Sequence, residues 1–218
     1  MNKNEKFIIA INRELGSGGR TVGEKLAAKL GVPFYDKALI RALEKKYRLT
    51  VDEIESLKGR KHGWWADFER AIGIGDALNS SRFYYQSKLD DEPELLTTEE
   101  IWKAEKEILM GIAETRSCVI AGRTAFHVLK KHPNHLNILI KAPLEQRIQR
   151  ILRKQDITRE EAEKTIKKVD EMRENYVQKY TGTSRYDTRN YELVISMDDL
   201  SEDDAVAIIM DYVERTSK

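Results

Sequence analysis

The chain has 218 residues, enough for one sizeable core or one core with a small lid. Its 38 basic and 37 acidic residues nearly cancel, leaving a formal charge of +1. No global field therefore draws it to nucleic acid or to a membrane surface, and any anion site must come from local clustering. A single cysteine, Cys118, excludes an internal disulfide. Set in the apolar run CVIAG, it reads as a small core residue. The N-terminal MNKNEK leads into only about five apolar residues, too few for a signal peptide or a membrane span. The expectation is a cytoplasmic globular protein.

The first strand is FIIAIN, residues 7–12. It runs into Gly16-Ser17-Gly18-Gly19 and then a helix over 20–30, where Val22, Leu26, Ala27 and Leu30 share one face. Gly31 is its C-cap. VPFYD, 32–36, is a weaker strand that Pro33 confines to an edge or a strand entry. A helix over 37–47 follows, and Thr50 to Glu53 form a capping box for another. Residues 59–96 mix aromatics and glycines without periodicity. Thr97 to Glu100 cap a long helix in which Ile101, Ala104, Ile108, Ile112 and Ala113 recur at helical spacing.

CVIAG (118–122) and LNILIKA (136–142) are further apolar runs without alternation, as in strands buried on both faces. Pro143 suits the N1 position of a helix. Thr158 to Glu161 open a helix reaching about Tyr180. YELVIS (191–196), one more such run and likewise expected to be buried on both faces, is the last strand, and a final helix spans about 201–214. Strands alternating with helices imply an α/β fold, with a five-stranded parallel sheet and helices on both faces.

A strand, a glycine-rich turn and a helix start together make a concave nest of backbone N–H groups at the positive end of a helix dipole. The dinucleotide fingerprint is nearly met by Gly16, Gly18 and Thr21, with Asp36 near the ribose-binding distance, but its third glycine is absent. The phosphate-loop pattern G-x-x-x-x-G-K-[ST] is also broken and fits in two registers. In one, Arg20 takes the lysine place. In the other, Gly19 takes it and Arg13 stands at the first glycine. A glycine-rich turn with no ligand is the plain alternative.

INRELGSGGRTVGEKLAAKLGVPFYDKALI resembles the opening of the cytidylate kinase-like proteins, relatives of the nucleoside monophosphate kinases. Without a gap, Thr21, Ala27 and Leu30 fall on that family's pattern, which favours the register with Gly19 at the lysine position. CVIAGRTAFHVL, IKAPLEQRIQRILRK, DEMRENYVQKYTG and YELVIS resemble its later motifs in order and spacing. The resemblance implies a P-loop kinase domain over 1–218, an acceptor-binding insertion at about 37–100 and a helical lid at about 144–185. It also implies ATP as donor, Mg²⁺ held through phosphates with Thr21 as candidate ligand, and a pyrimidine monophosphate such as CMP as acceptor.

Phosphoryl transfer needs positive charge placed around the transferring group. Gly16, Ser17, Gly18, Gly19, Arg20 and Thr21 are the candidate phosphate binders, and Arg20 is the candidate substitute for the missing lysine. Arg147, Arg150 and Lys154 fall at i, i+3 and i+7 with no acidic partner at those spacings, so the face is expected to meet an anion. By resemblance, Arg150 and Arg153 close over the donor phosphates, and Arg173, three residues after Asp170, contacts both substrates. Gly122, Arg123, Asp36, Arg41 and Arg185 are the acceptor-side candidates. The irregular spacing of His62, His127, His132 and His135 argues against a structural metal. GWW and RFYY, within 63–85, read as a satellite core or a subunit contact, leaving a homo-oligomer open. The partners expected are small nucleotides, not nucleic acid or a membrane. The opposing functional class is a nucleotide-binding regulatory protein without turnover, marked by the lost lysine.

Overall fold

The apolar runs become five parallel strands in the computed structural model, which describes residues 1–36, 99–122 and 124–217. Expectations for helices at 37–47 and after Thr50, for Arg41 and Arg123, and for the segment 63–85 lie outside the described residues. The strands are β1 (Ile8–Arg13), β2 (Phe34–Tyr35), β3 (Cys118–Ala121), β4 (His135–Lys141) and β5 (Leu193–Ser196). Their order across the sheet is β2-β3-β1-β4-β5, with every pair parallel. Parallel pairing requires each connection to cross a face of the sheet.

The α-helices among the described residues are α1 (Gly19–Leu30), α2 (Glu99–Thr115), α3 (Ala125–Val128), α4 (Leu144–Leu152), α5 (Arg159–Thr181) and α6 (Glu202–Thr216). The chain divides into two compact units, one of Met1–Tyr35 with Arg116–Lys218 and one of Asp36–Thr115. In the second, α2 buries Ile108, Ile112 and Ala113. In the first, Ile9 and Ile11 of β1, Ile138 and Ile140 of β4, and Val119 of β3 form one core with Val22 and Leu26 of α1 and Val206, Ile209 and Val213 of α6. Ile8, Ala10, Ile120 and Leu139, one residue out of phase, turn to the opposite face and are buried as well. β1 is thus apolar on both sides because both sides are covered. Cys118 is part of this interior, and burial pushes its thiol up to about 12. It is an inert core residue.

Three details depart from the sequence reading. Burial on both faces does not extend to β5, an edge strand in which Ile195 is buried while Val194 and Ser196 are exposed. Pro143 stands at the N-cap of α4 rather than at its first helical position. Lys154 falls beyond the end of α4 at Leu152, so the cationic face ends with Arg150. The capping boxes at Thr158 and Ser201 both form, with each hydroxyl and its N3 carboxylate satisfying backbone N–H groups reciprocally. β2 lies at the other edge of the sheet, where Pro33 placed it.

Gly23 sets the approach of α1 to the sheet. A Cβ there would lie 2.7 Å from Cε2 of Phe34 and 3.2 Å from Cδ1 of Ile11. Gly23→Val should therefore destabilise the chain by about 1–3 kcal/mol through overpacking, although valine has the better helix propensity. Urea unfolding measures it, and a variant as stable as the parent would show that α1 is not seated so closely.

Candidate functional site

β1 ends at Arg13, and the chain turns through Glu14–Gly18 into α1. Gly16 and Gly18 adopt left-handed backbone, with φ of +81° and +84°, a conformation that costs other residues about 1–2 kcal/mol. Space is as restrictive as torsion, since a Cβ on Gly16 would lie 2.8 Å from the carbonyl oxygen of Arg147. The Ser17 hydroxyl is buried and donates to the Glu14 carbonyl at 3.0 Å. The Ser17 amide donates to the same carbonyl at 3.3 Å. Ser17 therefore staples the loop from within.

The N-terminus of α1 differs from those of α5 and α6. Gly18 is its N-cap, no side chain caps it, and no acidic residue lies in its first turn. By contrast, α5 and α6 open with capping hydroxyls and with Glu160, Glu161, Glu202, Asp203 and Asp204 in their first turns. The first N–H groups of a helix have no partner within the helix and carry the positive end of its dipole. In α1 they stand at the C-terminal edge of the central strand with no acid in their own turn, and the carboxylate beside them, Glu202 of α6, whose Oε1 would lie 3.2 Å from a Cβ on Gly18, is paired with Arg150. That is an anion-binding geometry.

The loop is held from below by two carboxylates. Glu14 donates its N–H to the Ile140 carbonyl at 3.1 Å. Its carboxylate accepts from the Ala142 N–H at 3.0 Å and lies 3.4 Å from Nη1 of Arg147. Asp170 of α5, almost fully buried, accepts the Leu15 N–H at 3.0 Å. Arg147 donates to the same carboxylate through Nη2 and to the Leu15 carbonyl through Nε at 2.7 Å. Arg185 and Arg173 complete the cluster, with Nη1 atoms 3.5 and 3.6 Å from Asp170 Oδ1. Both also donate to the Arg13 carbonyl, Arg173 at 3.4 Å. Arg185 further approaches Asn12 Oδ1 at 3.4 Å, and Asn12 donates to the Tyr191 hydroxyl at 2.6 Å. Burial pushes that phenol up to about 12, so it stays protonated and donates in turn to the Arg185 carbonyl at 2.7 Å.

These partners correct the expectation of an unpaired cationic face. Arg147 pairs with Glu14 and Asp170, Arg150 with Glu202 of α6, and Arg173 with Asp170. The acids that meet Arg147 and Arg150 lie far off in sequence or on another helix, where spacing rules within one helix do not reach; only Arg173 has its acid three residues away on the same helix. Arg185 is fully buried under the end of β1. Arg153 is exposed at the C-cap of α4. Arg150 does reach the loop, for a Cβ on Gly18 would lie 3.1 Å from its Cζ and Nη1. Burial alone would raise the Glu202 carboxyl, but its own backbone N–H and Arg150 outweigh this and hold it below the usual carboxylate range.

Arg20 extends along α1 to Glu24 at 2.6 Å, with its guanidinium 5.9 Å from the Phe34 ring. Thr21 is half-buried in the first turn of α1. Asp36 is buried directly after β2, and Gly122, at φ +87°, follows β3. Gly19 faces the sheet, since a Cβ there would lie 2.7 Å from Cβ of Arg13. Asp170, Glu14 and Glu202 are the residues that sequence reasoning left without a role. The Asp170–Arg173 spacing was the one local sign of this cluster.

A glycine loop between the central strand and an uncapped helix, in a sheet of this strand order, invites comparison with known kinases. The model of the cytidylate kinase-like family matches residues 8–199. The chain belongs to that family. No curated protein is similar enough to match. Among solved structures, this cytidylate kinase-like chain resembles an uncharacterized protein from Eubacterium ventriosum ATCC 27560 at 23% identity and a TM-score of 0.67, over 96% of this chain and 99% of that one. It also resembles the shikimate kinase of Bacteroides thetaiotaomicron at 14% identity and a TM-score of 0.51, over 96% and 99% of the two chains. The shikimate kinase of Acinetobacter baumannii, solved with shikimate, gives 15% identity and a TM-score of 0.52 over 99% and 97%. At such identities the likeness carries the fold, which is that of the P-loop kinases. Among the described residues no helix is long and apolar enough to cross a membrane.

Removing Asp170 leaves the Leu15 N–H and the buried guanidinium of Arg185 without their carboxylate, and Arg147 with Glu14 alone. Asp170→Ala should destabilise the chain by about 3–5 kcal/mol, as for other broken buried ion pairs. Chemical unfolding of the purified variant checks this. A change under 1 kcal/mol would mean that the cluster does not hold the loop.

Proposed function

We propose that the chain transfers the γ-phosphoryl group of ATP to a nucleoside monophosphate, with CMP the first acceptor to test. The observation that carries this reading is the N-terminus of α1, with no side-chain cap and no acid in its first turn, behind a glycine loop in a chain of the cytidylate kinase-like family. The amides of Gly16 to Thr21 receive the donor phosphates. Arg147, through Leu15 and Asp170, keeps those amides in place. Arg150 adds charge over Gly18, and Arg153 and Arg173 act from α4 and α5.

An oxygen of the acceptor phosphate bonds to the γ-phosphorus as the bond from that phosphorus to the β,γ-bridging oxygen breaks, so ADP leaves. Charge grows on the oxygens between the two nucleotides, and positioned cations stabilise it. Among the described residues no group of three or more acidic, histidine or cysteine side chains could hold a metal by itself. The fit is to Mg²⁺ held mainly by phosphates and water, with the Thr21 hydroxyl as the protein's contribution. When bound, the ion neutralises phosphate charge. Asp36, Arg41, Gly122 and Arg123 are the acceptor-side residues of this reading, assigned by family resemblance. Arg185, buried under the Arg13 carbonyl, supports the edge of the site. Residues 144–185 act as a lid, small nucleotides are the partners, and the cytoplasm is the setting.

A second reading, a nucleotide-binding regulatory protein without turnover, is favoured by one observation. Arg20, the cation nearest the lysine place in sequence, is paired with Glu24. Turnover assays with ATP, Mg²⁺ and each nucleoside monophosphate separate the two, and ADP release dependent on CMP is expected. ATP at about a hundred times its dissociation constant should add about 2.7 kcal/mol of stability, or roughly 5–10 °C in melting temperature. Such a shift without turnover on any monophosphate would establish the regulatory reading. No shift would remove both.

A further inference from the structure

We propose that Arg13 carries the cation of this phosphate site, the part that phosphate loops elsewhere give to a lysine at the position of Gly19. The inference rests on the phosphoryl-transfer reading above and names the group that completes it. In the ungapped register the loop departs from its pattern three times, with arginine at the first glycine (Arg13), glycine at the lysine (Gly19) and arginine just after it (Arg20). The first two departures are reciprocal. The structure shows why they belong together.

A Cβ on Gly19 would lie 2.7 Å from Cβ and 3.2 Å from Cγ of Arg13, and 3.2 Å from Cβ of Ile140. The space that a side chain at position 19 needs is filled by the stem of Arg13, against atoms that cannot swing aside. At its far end, the Nη1 atom of Arg13 occupies the place that a side chain on Gly122 would take. Gly122 is in turn fixed by donating its N–H to the Ile11 carbonyl at 3.0 Å. The side chain therefore lies across the C-terminal edge of the sheet, from the end of β1 to the end of β3. This edge is where ligands of open α/β sheets bind.

The backbone of Arg13 is held on both sides. Its N–H donates to Asn12 Oδ1 at 3.0 Å, and its carbonyl accepts from Arg173 and Arg185. The guanidinium is thus carried by a rigid strand end, between the glycine loop and the turn after β3. A planar fork that stays charged at all working pH values suits the oxygens of a transferring phosphoryl group. Arg20, by contrast, extends along its own helix to Glu24.

Three variants test the assignment: Arg13→Met, which keeps the stem and removes the charge; Gly19→Lys; and the exchange Arg13→Gly with Gly19→Lys. Each is checked for folding by its melting temperature, and Arg13→Gln replaces Arg13→Met if the latter does not fold. The readouts are kcat with ATP and CMP and, separately, the ATP dissociation constant at low and high salt. Arg13→Met should lower kcat by about 100-fold or more, as for loss of one charge-stabilising contact, and weaken ATP binding by about tenfold with a shallower salt dependence. Gly19→Lys alone should lower the melting temperature and gain no activity. The exchange should recover at least about tenfold in kcat over Arg13→Met, because removing the stem opens the space for the lysine. Wild-type kcat and ATP affinity in Arg13→Met would overturn the assignment, as would a folded, ATP-binding exchange variant that recovers nothing. If the wild type turns over no monophosphate, the transfer reading fails on its own. The ATP affinity then decides for Arg13: a tenfold loss in Arg13→Met upholds it as the phosphate cation, and an unchanged affinity overturns it.

Discussion

The buried carboxylate of Asp170 is the point on which the site depends. It accepts the N–H of Leu15 from the loop and meets guanidiniums from α4, from α5 itself and from the turn before β5. A buried carboxylate is costly unless such partners surround it, and it then fixes the elements that supply them. The loop and the α4–α5 hairpin therefore share an anchor. Apolar packing reinforces it, for Leu15 lies against the small core of Ile148, Ile151, Ala162 and Ile166 that closes the hairpin. The glycine loop is shaped partly by its own torsions and partly by the helices beneath it.

Two kinds of ion pair follow from that arrangement. Arg147 and Arg185 are buried and committed to the scaffold. Arg150 pairs with Glu202 beside Gly18, each side chain keeping about a quarter of its surface open to solvent. A phosphate at the loop would compete with Glu202 for this guanidinium, which the loop already faces. The structure thus separates arginines that build the site from arginines that can answer a ligand, a distinction that charge counting does not make.

Much of the fold was legible in the sequence because its signals are local. Unalternated apolar runs such as FIIAIN mark strands covered on both faces, Gly31 ends α1, and Thr158 and Ser201 begin α5 and α6. YELVIS misled because its edge position, not its composition, decides how much of it is buried. The turn between β1 and α1 was legible from its glycines, two of which take left-handed backbone. The arginine partners were not, because Arg147 and Glu14, or Arg150 and Glu202, meet only after the sheet has brought β1, β4 and β5 side by side. Nor could the sequence show that residues 13 and 19 face each other across the loop. Each reads alone as a defect in a motif, and only their contact makes them one exchange.

The central claim is that the nest at the start of α1 holds the donor's phosphates. A crystal structure of the full chain with Mg²⁺ and a non-hydrolysable ATP analogue tests it most directly. The account predicts triphosphate density against the amides of Gly16 to Thr21. Triphosphate bound elsewhere on the chain, with that loop empty, would contradict it.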